Sequence, residues 1–193
     1  MRSDNDTAPV VQDLSRYRVP AGFRGKSAVF VQLWWLVQAT LFSLSPQFMY
    51  GWRNFLLRLF GCRLGEDVII RQSVRITYPW KVTIGARAQI GDHVELYSLG
   101  PITIGHDVVI SQRSYICTGS HDHRSPAFDI YAQPIVIQDQ AWLAADCFVY
   151  PGVTVGQGAV VAARSTVIDD VEPYSIYAGS PATRRGPRTM REV

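Results

Sequence analysis

From Leu64 to Glu172 the chain places an aliphatic residue at nearly every sixth position. Leu64, Ile70 and Ile76 form one set, Ile84, Ile90 and Leu96 a second, and Ile104, Ile110 and Ile116 a third. Val82-Thr83 and Ile102-Thr103 separate the sets, so equivalent positions recur at 64, 84 and 104. After an interruption the rhythm returns as Ile137, Leu143, Val149, Val155, Val161 and Val167, without the two-residue insertions. Such a period fits neither an α-helix nor alternation along a strand. It predicts short strands joined by tight corners, three sides to a coil. Stacked coils would then bury one aliphatic column that no single coil can bury alone. Glycine follows many of the aliphatic residues, as at Gly85, Gly91 and Gly156, which predicts corners with unusual backbone angles there. An ordinary β-sandwich with evenly spaced strands would need all these in-phase matches to arise by accident.

The pattern ahead of the repeat is different. Residues 1–27 carry Pro9, Pro20, Gly22 and Gly25 and read as an extended arm. Ala28 to Leu44 is the most hydrophobic segment, just short of the roughly 18 to 25 residues of a membrane span. Gln32 and Gln38 interrupt it. Ser45-Pro46 reads as an N-cap with proline at the first helical position. Phe48, Met49, Trp52, Phe55, Leu56, Leu59 and Phe60 follow at helical spacing, with Arg53 and Arg58 off that stripe and Gly61 as the stop. The chain therefore divides into an arm and helical segment (1–63), the repeat (64–172, with a loop at 122–136) and a basic tail (173–193). Two helices before the first coil would cap the open end of the solenoid or pack in an oligomer. The alternative is peripheral membrane contact, with Trp34 and Trp35 on the surface and Arg53, Arg58 and Arg63 near headgroups. A true span ranks behind both.

Composition narrows the partners. The 193 residues, 47% of them hydrophobic, suffice for one domain with a real core. A net charge of +3 permits an anionic ligand, and no Lys/Arg block suggests nucleic acid. Cys62, Cys117 and Cys147 lack metal-ligand spacing, and their odd number argues against a disulfide framework, so a reducing cytoplasm is expected. The first residues, with Asp4, Asp6 and Asp13, do not resemble a cleavable signal. Cys147 sits at a small-residue position and Cys117 has no basic neighbours, so both read as packing. Arg71, Arg75, Arg87 and Asp107 read as solvated corners. His93 and His106 fall at different corners of their coils, so no metal is expected there.

Chemistry is expected where the repeat breaks. After Ile116 the chain reads CTGSHDHRSPAFDIYAQP before Ile135-Val136-Ile137 restores the register of Val82-Thr83-Ile84. Loops on rigid scaffolds carry function. This one holds His121, a residue able to accept a proton near neutral pH. Trp142, Tyr150 and Pro151 lie one coil later, placed to wall a cleft. Spacing alone leaves open whether His121 does chemistry or merely ties down the loop base.

The repeat, the TGSHD motif, the loop ending PIVI, and AWLAADCFVYPGVTVGQGAVVAARSTV resemble hexapeptide-repeat acetyltransferases. QDLSRYRVPAGFRGKSAVFVQLWWLVQATLFSLSPQ, LLRLFG, ITYPWK and CTGSHDHRS resemble the bacterial colanic acid biosynthesis acetyltransferases within that family, across nearly the whole chain. The resemblance implies an all-β solenoid, a left-handed parallel β-helix, against the usual right-handed crossover. It also implies acetyl transfer from acetyl-CoA to a sugar hydroxyl by a homotrimer with sites between subunits. By that resemblance His121 matches the catalytic base, and Asp122 either orients it or contacts the sugar. Trp142 matches a residue of the acetyl-CoA channel, beside which the small Ala144, Ala162 and Ala163 allow close approach of a pantetheine arm. The family's GNPAK pattern reads Gly179-Ser180-Pro181-Ala182-Thr183 here, without the lysine. Arg184 or Arg185 is then the candidate phosphate contact, with a solvated basic tail as the competing reading. Tyr97, Ser98 and His123 are candidates for the acceptor. The expected function is O-acetylation of a sugar or lipid-linked oligosaccharide in exopolysaccharide assembly, in the cytoplasm or at the inner face of its membrane. The alternatives are transfer to a free sugar, amino acid or antibiotic, a non-catalytic scaffold, and a metal-dependent carbonic anhydrase.

Overall fold

In the computed structural model, which describes residues 11–191, the repeat builds a three-sided parallel β-solenoid. The first side stacks Arg63–Leu64, Val82–Ile84, Ile102–Ile104, Ile135–Ile137 and Thr154–Val155. The second runs from Ile69–Ile70 through Gln89–Ile90, Val109–Ile110, Trp142–Leu143 and Val160–Val161 to Ser175–Ala178. The third stacks Arg75–Ile76, Glu95–Tyr97, Tyr115–Cys117, Phe148–Val149 and Thr166–Val167. The register is the one the spacing predicts: Leu64 pairs with Ile84, Ile84 with Ile104, and Ile104 with Ile137 across the interruption. Successive residues of a strand point to opposite faces, so the two-residue strands send one aliphatic residue inward and Val82–Ile84, Ile102–Ile104 and Ile135–Ile137 send two each. Ile70, Ile90, Ile110, Leu143 and Val161 accordingly form one buried row. Each fully buried residue of this kind is worth roughly 1.5–3 kcal/mol over an exposed one. The column is therefore the main stabilising element.

The corners correct one expectation. Glycines 85, 91 and 156 do not adopt left-handed backbone angles; those fall two residues further along, on Arg87 (φ 59°) and His93 (φ 58°), as on Asp107 (φ 57°) after Gly105, and on Gly158 (φ 64°) after Gly156. The glycines serve close approach instead. A Cβ on Gly85 would lie 2.5 Å from the Gly105 backbone, and one on Gly156 2.5 Å from Pro173 N. Coils stack too tightly at these points to admit any side chain. The left-handed corner residues carry charges that stack in turn: Arg87 makes a two-pronged contact with Asp107 at 2.7 and 2.7 Å, and Arg113 does so with Asp146 at 2.7 and 2.9 Å.

Two helices close the first coil. α1 (Ala28–Val37) continues as a π-helical turn at Gln38–Phe42, and α2 spans Tyr50–Leu59. The predicted cap at Ser45 and helix start at Pro46 are not found, because Arg53 claims that segment. Its guanidinium donates to Ser45 Oγ (2.8 Å), Pro46 O (2.9 Å) and Gln47 O (2.7 Å), and Ser45 Oγ donates to Phe42 O (2.6 Å). Gly61 (φ 87°) ends α2 as expected, its N–H bonding Arg58 O at 2.9 Å while Cys62 N–H bonds Leu57 O at 2.9 Å. The assignment of Trp34 and Arg53 to an outer surface is also overturned. Both are fully buried: Trp34 Nε1 donates to Ile76 O (2.8 Å) and Arg53 Nε to Ile70 O (2.8 Å), which satisfies carbonyls at the solenoid's open edge. Among the described residues no helix is long and apolar enough to cross a membrane. At the other end Thr183–Pro187 folds back antiparallel on Ser175–Ala178, so this part of the tail is a strand, with Arg184 and Arg185 exposed on it.

Candidate active site

The break in the repeat is a β-hairpin, not an irregular loop. Gly119–His121 pairs antiparallel with Ile130–Ala132, and His121 stands opposite Ile130. Its tip is pinned from within. Asp122 N–H bonds Asp129 O (2.8 Å), Ser125 Oγ bonds Asp129 Oδ2 (2.6 Å), and Phe128 N–H bonds Ser125 O (2.9 Å). Phe128 adopts a left-handed angle (φ 52°), a strained conformation for an aromatic residue. It turns its carbonyl onto Nδ1 of His121 at 2.9 Å and stacks its ring on the imidazole at 4.2 Å. A carbonyl oxygen only accepts, so Nδ1 carries the proton and Nε2 is the basic atom. The half-buried imidazole thus has its plane and its tautomer fixed by one residue.

Asp122 does not share that task. Its carboxylate accepts from Arg124 N–H (2.9 Å) and stabilises the hairpin tip. Together with His121, His123, Arg124, Asp129 and Tyr131 it lines an open cavity of about 510 Å³, so Asp122 and His123 face the space beside the imidazole. Tyr17, which no motif or spacing singled out, has its ring 5.9 Å from that of His121. The arm reaches the hairpin because Asp13 N–H bonds Pro126 O (2.7 Å). Lys81 Nζ, which donates to the carbonyls of Phe23 (2.6 Å) and Leu99, ties its later part to the solenoid. Burial lowers the Lys81 pKa.

The residues expected to hold the donor come together elsewhere. Trp142, Ala144, Ala162 and Ala163 line one groove of about 590 Å³ with Ser111 and Val160. Strand pairing explains this, since Trp142 lies opposite Val109 and Val160 on the outer face of adjacent coils. The indole is 43% exposed, and its Nε1 donates to Ser111 Oγ (3.1 Å), which sets it upright at the rim. Arg184 is held by Glu172 at 2.9 Å, whereas Arg185 makes one bond, to Ala178 O at 3.1 Å. Both sit in the terminal strand.

Tyr97 and Ser98 part company. Tyr97 is half-buried at the end of an aromatic row with Tyr115 and Phe148, and it lines a different cavity with Trp35, Gln38, Arg75 and Glu95. Ser98 is wholly buried, its Oγ accepting from Tyr78 N–H (2.8 Å) and donating to Tyr78 O (3.1 Å), so it holds backbone and cannot meet an acceptor. Burial raises the Cys62 pKa to about 12 and raises those of Cys117 and Cys147, which disfavours the thiolate at each. His106 Nδ1 accepts from Ala86 N–H (3.0 Å) at a corner. Among the described residues no three His, Cys, Asp or Glu side chains form a metal-holding group.

Comparison with known proteins places these features. No family model matches the chain. The chain is 59% identical over 172 residues to the "Putative colanic acid biosynthesis acetyltransferase WcaF" of Escherichia coli (strain K12), covering 89% of this chain and 94% of that protein. It is 26% identical over 144 residues to galactoside O-acetyltransferase of the same organism, covering 73% of this chain and 68% of that one. Among solved structures, a hexapeptide-repeat acetyltransferase of Vibrio cholerae complexed with acetyl coenzyme A superposes with a TM-score of 0.77 at 26% identity, covering 86% of this chain and 92% of that chain. The coil is left-handed, as in those β-helix acetyltransferases.

Proposed function

The chain belongs to the colanic acid biosynthesis acetyltransferases of the hexapeptide-repeat family, and from that premise we propose that it transfers acetyl from acetyl-CoA to a sugar hydroxyl by direct attack, with His121 as general base. The acceptor is a glycosyl residue, free or on a lipid-linked oligosaccharide, destined for an exopolysaccharide. The observation that carries the reading is the bond from Nδ1 of His121 to Phe128 O (2.9 Å), which leaves Nε2 free to take a proton.

In the proposed step the acceptor oxygen attacks the thioester carbonyl carbon as Nε2 removes the hydroxyl proton. The tetrahedral intermediate collapses, the C–S bond breaks, and the imidazolium returns the proton to the departing thiolate. General-base assistance of this kind is worth about 10²–10⁴-fold. No enzyme nucleophile is needed, in keeping with the raised thiol pKa values. The groove beside Trp142 takes the pantetheine arm, with Arg185 free to meet a phosphate because Arg184 is engaged by Glu172. The groove and the His121 cavity are separate concavities of one chain. A homotrimer, in which the histidine of one subunit faces the groove of its neighbour, would unite them.

Calorimetry with acetyl-CoA, on a sample whose mass is measured by light scattering, tests this reading. We expect a trimer with saturable binding that survives His121→Ala and weakens in Arg185→Ala. A survey of acetylated products over sugars, amino acids and antibiotics should then yield a sugar ester. A folded protein that binds no acetyl-CoA, or wild-type turnover by His121→Ala, would overturn it.

A further inference from the structure

α1 presents a physical problem that its capping role leaves unsolved. Its sequence, AVFVQLWWLV, is apolar all round except for Gln32, and a helix of that kind needs apolar surroundings on every side. Yet within it only Val31 and Trp34 are buried. The outward side exposes Leu33, Leu36 (62%) and, in the π-helical turn, Leu41. The surface continues onto the second helical segment through Trp52, whose Nε1 donates to Leu41 O (3.0 Å) and whose ring stacks on Phe55 at 5.8 Å. Phe48 (80% exposed) and Leu59 (64% exposed) extend it. An exposed apolar surface of this extent on a folded protein marks an interaction site.

Charge decides what covers it. Between Asp13 and Glu66 the sequence contains no acidic residue, while Arg24, Lys26, Arg58 and Arg63 are all exposed in that interval. Two copies meeting through this face would bring like charges together. Arg58 donates to Leu64 O (3.3 Å) and Gly65 O (2.9 Å), which leaves Arg24, Lys26 and Arg63. An anionic bilayer surface suits both the apolar face and the cationic excess of the segment that carries it. The few polar side chains on the face already hide their hydroxyls: Thr40 Oγ1 donates to Leu36 O (2.7 Å) and Ser43 Oγ to Gln38 O (2.7 Å). That lowers the cost of leaving water. The helices also cannot leave the solenoid to insert, because Trp34, Gln38 and Arg53 bond the backbone of the first coil.

We propose that the outer face of α1, the π-helical turn and α2 is a docking surface for an anionic lipid bilayer. The protein lies flat on it with Leu36, Leu41, Phe55 and Leu59 in the headgroup–acyl boundary. The proposal does not depend on the acceptor or on His121. On the proposed function, acetyl transfer then takes place against the membrane, within reach of lipid-linked acceptors.

Flotation with vesicles of phosphatidylglycerol and phosphatidylethanolamine tests it on the full chain. The wild type should float, and less so as salt rises. It should remain below on neutral phosphatidylcholine. Lys26→Glu with Arg63→Glu should weaken partition more than tenfold, since each basic group near a charged surface is worth about fivefold. Leu36→Ser with Leu59→Ser should abolish it while the unfolding midpoint stays close to wild type, because both side chains are exposed. Equal flotation of wild type and charge variant would overturn the proposal. So would serine variants whose only change is a smaller oligomer, which would mark the face as an interface between copies.

Discussion

Trp142 stands on a strand whose neighbours Val109 and Val160 repeat its position in the coils before and after, whereas His121 stands on a hairpin with no counterpart in any other coil. The groove beside Trp142 is a product of regularity. Small residues at equivalent positions line up by stacking, and the buried column beneath keeps them in place. The hairpin is a product of interruption. Its geometry rests on local bonds among residues 122–129 and on one strained residue, Phe128. Substrate binding by a long flexible donor suits the first kind of construction. A base that must hold one nitrogen at one angle suits the second.

The largest effect that tests this division is on turnover. His121→Gln should lower kcat by about 10²–10⁴-fold while calorimetry shows unchanged acetyl-CoA affinity; loss of both would mean that the two regions are one site in each chain. Next in size, Leu143→Ala beneath the groove should cost about 2–5 kcal/mol, read from the urea midpoint. Ser125→Ala at the hairpin tip should leave that midpoint nearly unmoved while reducing kcat. Trp142→Ala should raise KM for acetyl-CoA about tenfold by removing an aromatic contact, with kcat preserved. The smallest effect is on acid stability. Arg87 holds the Asp107 carboxyl below its ordinary value. The stability this contributes is present above the unfolded carboxylate range and lost as pH falls through the lower folded value. Asp107→Asn should therefore flatten the steep acid end of the pH–stability curve with no change in activity near neutrality.

The regular half was legible in the chain and the irregular half was not, for a physical reason. A six-residue rhythm reports burial, and burial is a one-dimensional property repeated many times over; hence the register survives even across the hairpin, with Ile135 opposite Ile102. The resemblance named Trp142, with the small Ala144, Ala162 and Ala163 beside it, and the four line one groove. The rhythm could not tell a glycine needed for a left-handed angle from one needed for close approach, because both read as the same letter. Nor could it show that Phe128 rather than Asp122 orients His121, since a backbone carbonyl leaves no trace in residue type. Arg53 misled for a related reason. Its charge suggested solvent, but its five donors suit the Ile70 carbonyl at the solenoid's open edge together with Ser45 Oγ and the Pro46 and Gln47 carbonyls of the turn before α2. Tyr17 lies more than a hundred positions from His121, and only a long-range fold can bring them together.

The base of the hairpin has a consequence for how such a protein can change. Gln133 N–H bonds Thr118 O (2.8 Å), and Ile135 N–H bonds Pro101 O (3.0 Å), so the two ends of the excursion are fastened before the tip begins. Of what lies between, Pro126 is tied to the arm at Asp13 and Phe128 to His121, so the tip answers to those contacts and not to the stacking of the coils. The solenoid then behaves as a socket and the tip as an insert. On the proposed function, changes to the insert bear on the acceptor side and leave the groove beside Trp142 as it is.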